Sequence, residues 1–535
     1  MSNKMFAPEL FRPPMDFPDI PYDHLLRKAA ENNPDRPAII YHDLNFTYRE
    51  TVSMVNGIAN GLYELGLRKG DHICLYITNR PEYIITFIAA ASIGVVVSPM
   101  NPSYKEREIS YQLSDSEAKA ILVQSELVPT LNLALSQKEF PHLQHIIVTG
   151  ARKPESLPNA ILFAQLLRQS SPKKPPHVDI TGDDLLALPY SSGTTGLPKG
   201  TMLTHRNLVS NNLQFITALS INLSDVALLF LPFYHIYGVM LTGSFLACGG
   251  TQVIMERFDL LKSLELCEKH KVTYYFAVPP IILGLANAPI DLSKMKSVQY
   301  IFSGAAPLPT DPARRLQEKI PGRVVQGYGL TEASPLTHSQ PRDPELIRLG
   351  SIGLPVHNTE CKIVDIEDGT RELPQGEQGE LLIRGPQVMQ GYWHAPEESA
   401  RALQDGWLHT GDVAYVDEDG YTYIVDRKKE MIKYHGFGVA PAEIEALLLE
   451  HPAIVDTAVI GVPDDEAGEL IKGIVVKRAD TAITEEELLA FANGKLAGYK
   501  RIHLIEFIDV IPKTASGKIL RRELQEREKA RLRGQ

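Results

Sequence analysis

An apolar run, Leu185 to Tyr190, leads directly into Ser191-Ser192-Gly193-Thr194-Thr195-Gly196-Leu197-Pro198-Lys199-Gly200, and Thr204 then sits where the N-cap of an amphipathic helix belongs. This passage of strand, glycine-rich loop and helix constrains the fold most, because it belongs to a sheet layered with helices. The helix carries Val209, Leu213 and Ile216 on one face, with Leu208 and Phe215 beside it. Its N-terminus is expected to point back toward the loop, which would favour an anion there. Glycines let backbone N–H groups turn toward an anion with no Cβ in the way, hydroxyls add donors, and Lys199 adds a mobile cation. The stretch reads as a phosphate loop of Ser191, Ser192, Gly193, Thr194, Thr195, Gly196 and Lys199. It departs from the common nucleotide loop G-x-x-x-x-G-K-[ST], since Lys199 lies between Pro198 and Gly200. Kinase-like or ATPase-like γ-phosphate transfer is therefore disfavoured. A polar surface loop with no ligand is the bland alternative, and the rest of the chain argues against it.

The alternation recurs upstream. Ala38 to Tyr41 and Phe46 to Tyr48 read as short strands around the turn His42 to Asn45, followed by a helix with apolar Val52, Val55, Ile58, Leu62 and Leu65 and an end at Gly66. His72 to Ile77 is a strand, Pro81 to Ala91 an apolar helix, and Val95 to Val97 a strand again. Ser170 to Pro176 is a proline-rich connector. A boundary falls near Asp426 to Glu430, after the turn Asp417 to Gly420 and the strand Tyr421 to Val425. Beyond it, residues 430 to 535 mix short strands, Ala458 to Val462 and Ile474 to Val476, with helices such as the charged Leu520 to Arg533. The expected class is α/β, with no internal repeat.

Composition narrows the function. The 535 residues, 44% of them apolar, supply about two to four domains. A net charge of −11 argues against a general nucleic-acid binder. Cys74, Cys248, Cys267 and Cys361 are scattered without a C-x-x-C pair, so neither a zinc site nor a disulfide framework is indicated, and they read as reduced, mostly buried thiols. The most apolar stretch, Tyr83 to Met100, is interrupted by Ser92, Gly94 and Ser98 and closed by Pro99, short of the roughly 20 residues a spanning helix needs. It reads as a buried helix running into a buried strand. Neither a secretory signal nor a peroxisomal tripeptide is evident, so a cytoplasmic location is the default, with peripheral membrane contact and a homodimer left open.

Four further motifs follow the loop in order: Gln326-Gly327-Tyr328-Gly329-Leu330-Thr331-Glu332, His409-Thr410-Gly411-Asp412, Asp426-Arg427-Lys428-Lys429 and Pro512-Lys513-Thr514-Ala515-Ser516-Gly517-Lys518. Together with the loop they resemble the adenylate-forming superfamily of acyl- and aryl-CoA synthetases, peptide-synthetase adenylation domains and luciferases. The resemblance implies a large multi-subdomain N-terminal domain of helix-layered sheets, residues 1–428, and a small mobile α+β C-terminal domain, residues 429–535, hinged at Lys429. It also implies two half-reactions. ATP, with Mg²⁺, and a carboxylic acid give acyl-AMP and pyrophosphate; the thiol of CoA then attacks the same carbonyl.

The resemblance gives residues roles. Thr194, Thr195 and Lys199 would hold the departing phosphates, and Thr194 and Glu332 the Mg²⁺, a hard cation that takes oxygen ligands and keeps waters. Tyr328 would stack on adenine between Gly327 and Gly329, which permit close backbone approach, with Gly304, Ala305 and Ala306 opposite and Gln326 and Thr331 in the same nucleotide-binding segment. Asp412 would accept from the ribose hydroxyls and Arg427 donate to the nucleotide. Lys518 would swing in to stabilise charge during adenylation. Lys433 would approach once the C-terminal domain has rotated, with the loop through Gly436 lining the thiol tunnel. His435 and Gly438 stand where plant aryl-CoA ligases usually read Lys and Gln, which counts against a coumarate-like assignment.

Phe233 to Gly238 matches the acid-pocket segment, with His235 gating access between carboxylate and thiol. An α-amino acid is disfavoured, because no aspartate occurs in Phe233 to Leu241 to pair its ammonium. Tyr237, Val239, Met240, Phe302, Ala305, Gly329, Leu336 and Thr337 outline an apolar pocket. The leading reading is a medium- or long-chain fatty acid. The alternatives are an aryl (4-coumarate-like) CoA ligase, an acyl-AMP ligase loading a carrier protein, a luciferase-like oxygen-using enzyme and a non-catalytic nucleotide-binding homologue. The last is disfavoured because Lys199, Glu332, Asp412, Arg427, Lys433 and Lys518 are all present. No carrier domain follows Lys518, and no insertion of the acyl-AMP ligase kind lies near the hinge.

Overall fold

A computed structural model describes residues 12–191, 198–435, 437–464, 466–479, 481–514 and 517–533. In the first of two nine-stranded sheets, Pro37–Tyr41, Thr251–Ile254, Val226–Leu229, Tyr274–Ala277, Tyr300–Ser303 and Arg323–Gly329 lie side by side and run parallel. Antiparallel strands extend it at both edges. Parallel strands covered on both faces have no solvent side, so they read as continuous apolar runs; Tyr274, Tyr275, Phe276 and Ala277 are all buried.

A second sheet has its own parallel set, Val96–Met100, His72–Tyr76, Ala120–Val123 and His145–Val148. Helix Pro81–Ala91 runs into Val96–Met100 as a core element, and no helix among the described residues is long and apolar enough to cross a membrane. The connector after Ser170 is pinned rather than loose, because Asn60 Nδ2 donates to Ser171 O and Lys173 O at 2.8 Å each. All four cysteines are free thiols, and all but Cys248 are buried.

Thr204 caps helix His205–Leu219 as expected, in a reciprocal bond with Asn207. The orientation expected for that helix is not found. Lys199–Thr204 pairs into the second sheet as a strand, and a rise of about 3.3 Å per residue puts the helix N-terminus roughly 16 Å from Lys199. The helix dipole therefore does not serve the phosphate loop.

The third sheet is antiparallel, and its register sets Asp412 of Trp407–Val416 directly opposite Arg427 of Thr422–Arg427. A separate apolar core begins at Ile432, around Ile444, Leu448, Val459, Ile471 and Leu488. It belongs to a fourth sheet of Ile432–Tyr434, Phe437–Val439, Ile454–Asp464, Gly468–Lys477 and Leu504–Phe507, accompanied by helices Pro441–Leu448, Glu485–Asn493 and Arg521–Arg533. The chain is thus α/β, with a large N-terminal part of layered sheets and a small C-terminal α+β part.

Candidate active site

Open parallel sheets bind ligands beyond the carboxyl ends of their strands. Here four neighbouring strands of the first sheet end in segments singled out from the sequence. Val226–Leu229 leads to His235, Tyr274–Ala277 to Pro279 and Pro280, Tyr300–Ser303 to Gly304, Ala305 and Ala306, and Arg323–Gly329 carries Gln326, Gly327, Tyr328 and Gly329 at its own end. A cavity of about 250 Å³ lies between this edge and the C-terminal part, lined by Ala305, Ala306, Gln326, Tyr328, Asp412, Arg427 and Lys518 among others. The glycines are needed where they stand. A Cβ on Gly329 would sit 2.3 Å from Pro335 O, and one on Gly327 2.2 Å from Phe302 Cζ. Ala305 itself holds φ at 73°, in the left-handed region.

Asp412 is buried and doubly engaged. The Tyr328 hydroxyl donates to its Oδ2, and Arg427 Nε stands 3.4 Å from its Oδ1. Burial raises the Asp412 carboxyl above its usual range against the pull of Arg427, while burial of Arg427 is opposed by Asp412 together with Glu430, Tyr328 and Glu332, which leave its pKa raised. Behind the pair, buried Glu380 accepts from Gly411 N at 3.1 Å and Lys428 Nζ at 3.0 Å, fixing the turn that carries Asp412. The tie of the Tyr328 hydroxyl to Asp412 adds a contact to the stacking expected of its ring. It spans 84 residues of sequence, and no local pattern announces it.

The phosphate side is built around a segment that the sequence reading missed. Gly391–Tyr392 pairs with Lys199–Thr204, and Trp393 N donates to Gly200 O at 2.8 Å. This brings Tyr392 between two expected ligands: its hydroxyl donates to Glu332 Oε1 at 2.8 Å, and Lys199 Nζ lies 5.8 Å from its ring centre. Lys199 Nζ also pairs with Glu398 Oε1 at 3.0 Å. Thr331 and Glu332 share a short 3-10 turn after Leu330. Tyr190–Ser191 pairs with Lys199–Thr204, whereas Ser192, Gly193, Thr194, Thr195 and Gly196 lie outside the described residues. Among the described residues no group of three or more His, Cys, Asp or Glu could hold a metal by itself. One carboxylate, Glu332, beside a phosphate loop fits Mg²⁺, which is held by one or two carboxylates together with substrate phosphates and water.

Several residues expected to line an acid pocket lie close to one another. His235 is the N-cap of helix Ile236–Cys248, and its loop is clamped by Asn79, whose side chain donates to Leu231 O at 2.9 Å and accepts from Phe233 N at 2.8 Å. Burial, and then Lys518, lower the His235 pKa, so the imidazole is neutral. Tyr237 packs edge-on to Phe302 with ring centres 6.4 Å apart, and Phe302 rests on Phe215 and Phe276. A Cβ on Gly304 would lie 3.2 Å from the Tyr237 ring. Leu336 is paired with Gly329 across the strand edge, and Val239, Met240 and Thr337 are buried. The Tyr237 hydroxyl is buried without a hydrogen-bond partner among the described residues.

Of the two lysines drawn from the C-terminal part, only Lys518 lines the cavity. Burial and the neighbouring Arg427 pull its pKa down to about 8. Gly517 before it adopts φ 82°, where its Cβ position would be 3.1 Å from Pro280. Lys433 is exposed on Ile432–Tyr434, its N–H bonded to Glu469 at 2.7 Å, and does not line the cavity. Gly436 lies outside the described residues. The Lys429 side chain is exposed, and its pKa is lowered by partial desolvation and then by Arg427.

The cavity thus lies at strand ends, with the Asp412–Arg427 pair and half-buried Lys518 in its lining. The chain belongs to the AMP-binding enzyme family, whose profile matches residues 26–393, with the AMP-binding enzyme C-terminal domain matching residues 443–518. It is thereby a member of the adenylate-forming superfamily. It is 41% identical over 495 residues to 4-coumarate–CoA ligase 1 of Petroselinum crispum, covering 90% of this chain and 89% of that protein. Among solved structures, the anthranilate CoA ligase AuaEII in complex with anthranoyl-AMP superposes with a TM-score of 0.89 at 28% identity, covering 96% of this chain and 98% of the other. A benzoate CoA ligase from Burkholderia xenovorans gives 0.85 at 27% identity, covering 95% and 100%. These relatives do not support the fatty-acid reading and fit the aryl alternative better. The weight placed on His435 and Gly438 against that alternative was too great, since two positions stand against similarity along nearly the whole chain.

Proposed function

We propose that the chain is an ATP-dependent aryl acid:CoA ligase that prefers acids of the hydroxycinnamate kind. The observation that carries the choice of acid is the Tyr237 hydroxyl. Burial pushes its pKa well above the ordinary value, so it stays a donor, and it has no partner among the described residues. An alkyl chain beside it would leave the hydroxyl unsatisfied, at a cost of about 1–3 kcal/mol. A ring bearing a polar substituent would satisfy it and stack against the aromatic floor of Phe302, Phe215 and Phe276.

In the first half-reaction a carboxylate oxygen bonds to the α-phosphorus and the bond to pyrophosphate breaks. Asp412 would hold the ribose, Arg427 the nucleotide and Lys199 the departing phosphates, while Lys518 offsets charge gathering between carboxylate and α-phosphate. Glu332, oriented by Tyr392, would hold Mg²⁺, which supplies further charge neutralisation at the phosphates when bound. In the second half-reaction the CoA sulfur bonds to the carbonyl carbon and AMP leaves. Exposed Lys433 would reach the site only after residues 429–535 turn about Lys429, and neutral His235 guards the passage between the two reactants.

The test is a panel of benzoates, cinnamates, hydroxycinnamates and fatty acids with ATP, Mg²⁺ and CoA, the thioesters being identified by mass. Hydroxycinnamoyl thioesters are expected to dominate. Tyr237→Phe should lower kcat/KM for 4-coumarate about tenfold while leaving unsubstituted cinnamate nearly unchanged. Thioesters from fatty acids alone, or an equal loss for both cinnamates, would overturn the reading.

A further inference from the structure

Three residues beyond Lys518, the Arg521 side chain, only 13% exposed, is inserted among three carboxylates from different parts of the chain. Its Nη2 donates to both oxygens of Glu445, at 2.8 and 2.7 Å, and its Nη1 donates to Glu430. Asp426 faces the same guanidinium while accepting from Ala442 N at 2.8 Å and Arg427 N at 2.7 Å. The three acids have different addresses. Asp426 precedes Arg427 at the end of the third sheet, Glu430 directly follows Lys429, and Glu445 lies on helix Pro441–Leu448 of the C-terminal part. Burial drives the Asp426 and Glu445 carboxyls upward, and Arg521 is the leading charge that opposes it.

The segment between Lys518 and Arg521 transmits position well. Lys513 and Ile519 form an antiparallel bridge, Thr514 N donates to Lys518 O at 2.8 Å, Lys518 N to Thr514 Oγ1 at 3.1 Å, and Leu520 N to Pro512 O at 2.9 Å. A turn closed on itself in this way moves as one piece. On its far side it touches the N-terminal part where Gly517 meets Pro280.

We propose that Arg521 is the positioning residue for Lys518: by tying the foot of the C-terminal helix to Glu430 and Glu445, it holds the turn that carries Lys518 so that Lys518 faces the nucleotide cavity. Both ion pairs lie within residues 429–535 and travel with them. A planar guanidinium can serve two carboxylates at once, which an ammonium cannot do with the same geometry. The inference rests on the reading of Lys518 as the adenylation lysine and of Lys429 as the pivot.

Two readouts on Arg521→Gln test it. In the free enzyme, acetic anhydride labelling followed by peptide mass analysis should modify Lys518 about tenfold faster than in the wild type, with exposed Lys433 as an unchanged internal reference. Pyrophosphate exchange with 4-coumarate should fall about tenfold or more, while thioester formation from supplied coumaroyl-AMP stays within about twofold. Placed in a Lys518→Ala background, Arg521→Gln should cost exchange nothing further, because both changes remove one function. Unchanged Lys518 labelling, an equal loss in both half-reactions, or full additivity with Lys518→Ala would overturn the proposal. Exchange that survives Lys518→Ala would instead overturn the reading beneath it. Glu430→Gln, which keeps shape and removes the hinge-side charge, is expected to act in the same direction, and it decides the matter if Arg521→Gln does not fold.

Discussion

A lysine with a pKa near 8 changes charge within the range where such enzymes work. Only the ammonium form of Lys518 can offset developing negative charge, so the adenylation rate is present below that pKa and is lost as pH rises through it. For the adenylation half-reaction, kcat/KM should fall about tenfold per pH unit above roughly 8, and Lys518→Arg should move this limb to much higher pH because a guanidinium stays charged. A limb that does not move in Lys518→Arg would assign the titration elsewhere. Lys518 was legible in the sequence because its signal is local, a lysine behind Gly517 in one short motif. Tyr392, Glu398 and Glu380 were not, since their importance comes from partners far along the chain, such as the 60 residues between Glu332 and Tyr392. A tyrosine in a two-residue strand carries no mark of the carboxylate it will meet.

Elements were easier to read than their arrangement. The capping of His205–Leu219 by Thr204 follows from neighbouring residues, as does the end of Tyr48–Glu64 before Gly66, whereas Tyr48, expected in a strand, is that helix's first residue and Thr47 its N-cap. Whether six residues after the loop extend as a strand or turn at once is decided by the strands they meet, here Leu185–Ala187 and Gly391–Tyr392. That decision moved the helix N-terminus away from the phosphates. Thr204→Ala should therefore lower stability by about 1 kcal/mol, the usual value of a lost cap, and leave ATP affinity unchanged. Calorimetric unfolding and ATP titration measure the two separately. A matching loss of ATP affinity would restore the helix dipole to the site.

At the scale of the molecule, one cavity is lined by Lys518 while Lys433 stands exposed and apart, the arrangement that the proposed adenylation step requires and that leaves the proposed thioester step without its lysine. The α/β class and the change of character near Asp426 were visible from apolar runs and turns. The convergence of four strand ends on one site was not, because strand order is a matter of pairing between segments far apart in the chain, as between Ile39 and Gln252. Lys429 lies between these two demands. Its neighbours are anchored, Lys428 N to Gly411 O at 2.8 Å and Glu430 N to Arg427 O at 2.8 Å, whereas Lys429 N makes no backbone hydrogen bond among the described residues. Proline there would remove an N–H that the fold does not use and would fix φ near −65°, so it tests rotation rather than stability. Lys429→Pro is expected to keep pyrophosphate exchange within about twofold, to slow thioester formation about a hundredfold and to accumulate enzyme-bound acyl-AMP, as blocking a conformational step should. Quenching the reaction and weighing the bound adenylate by mass reads the outcome directly. Wild-type thioester turnover in Lys429→Pro would place the pivot elsewhere in the chain, and equal loss of both half-reactions would make Lys429 a residue of the adenylation site itself.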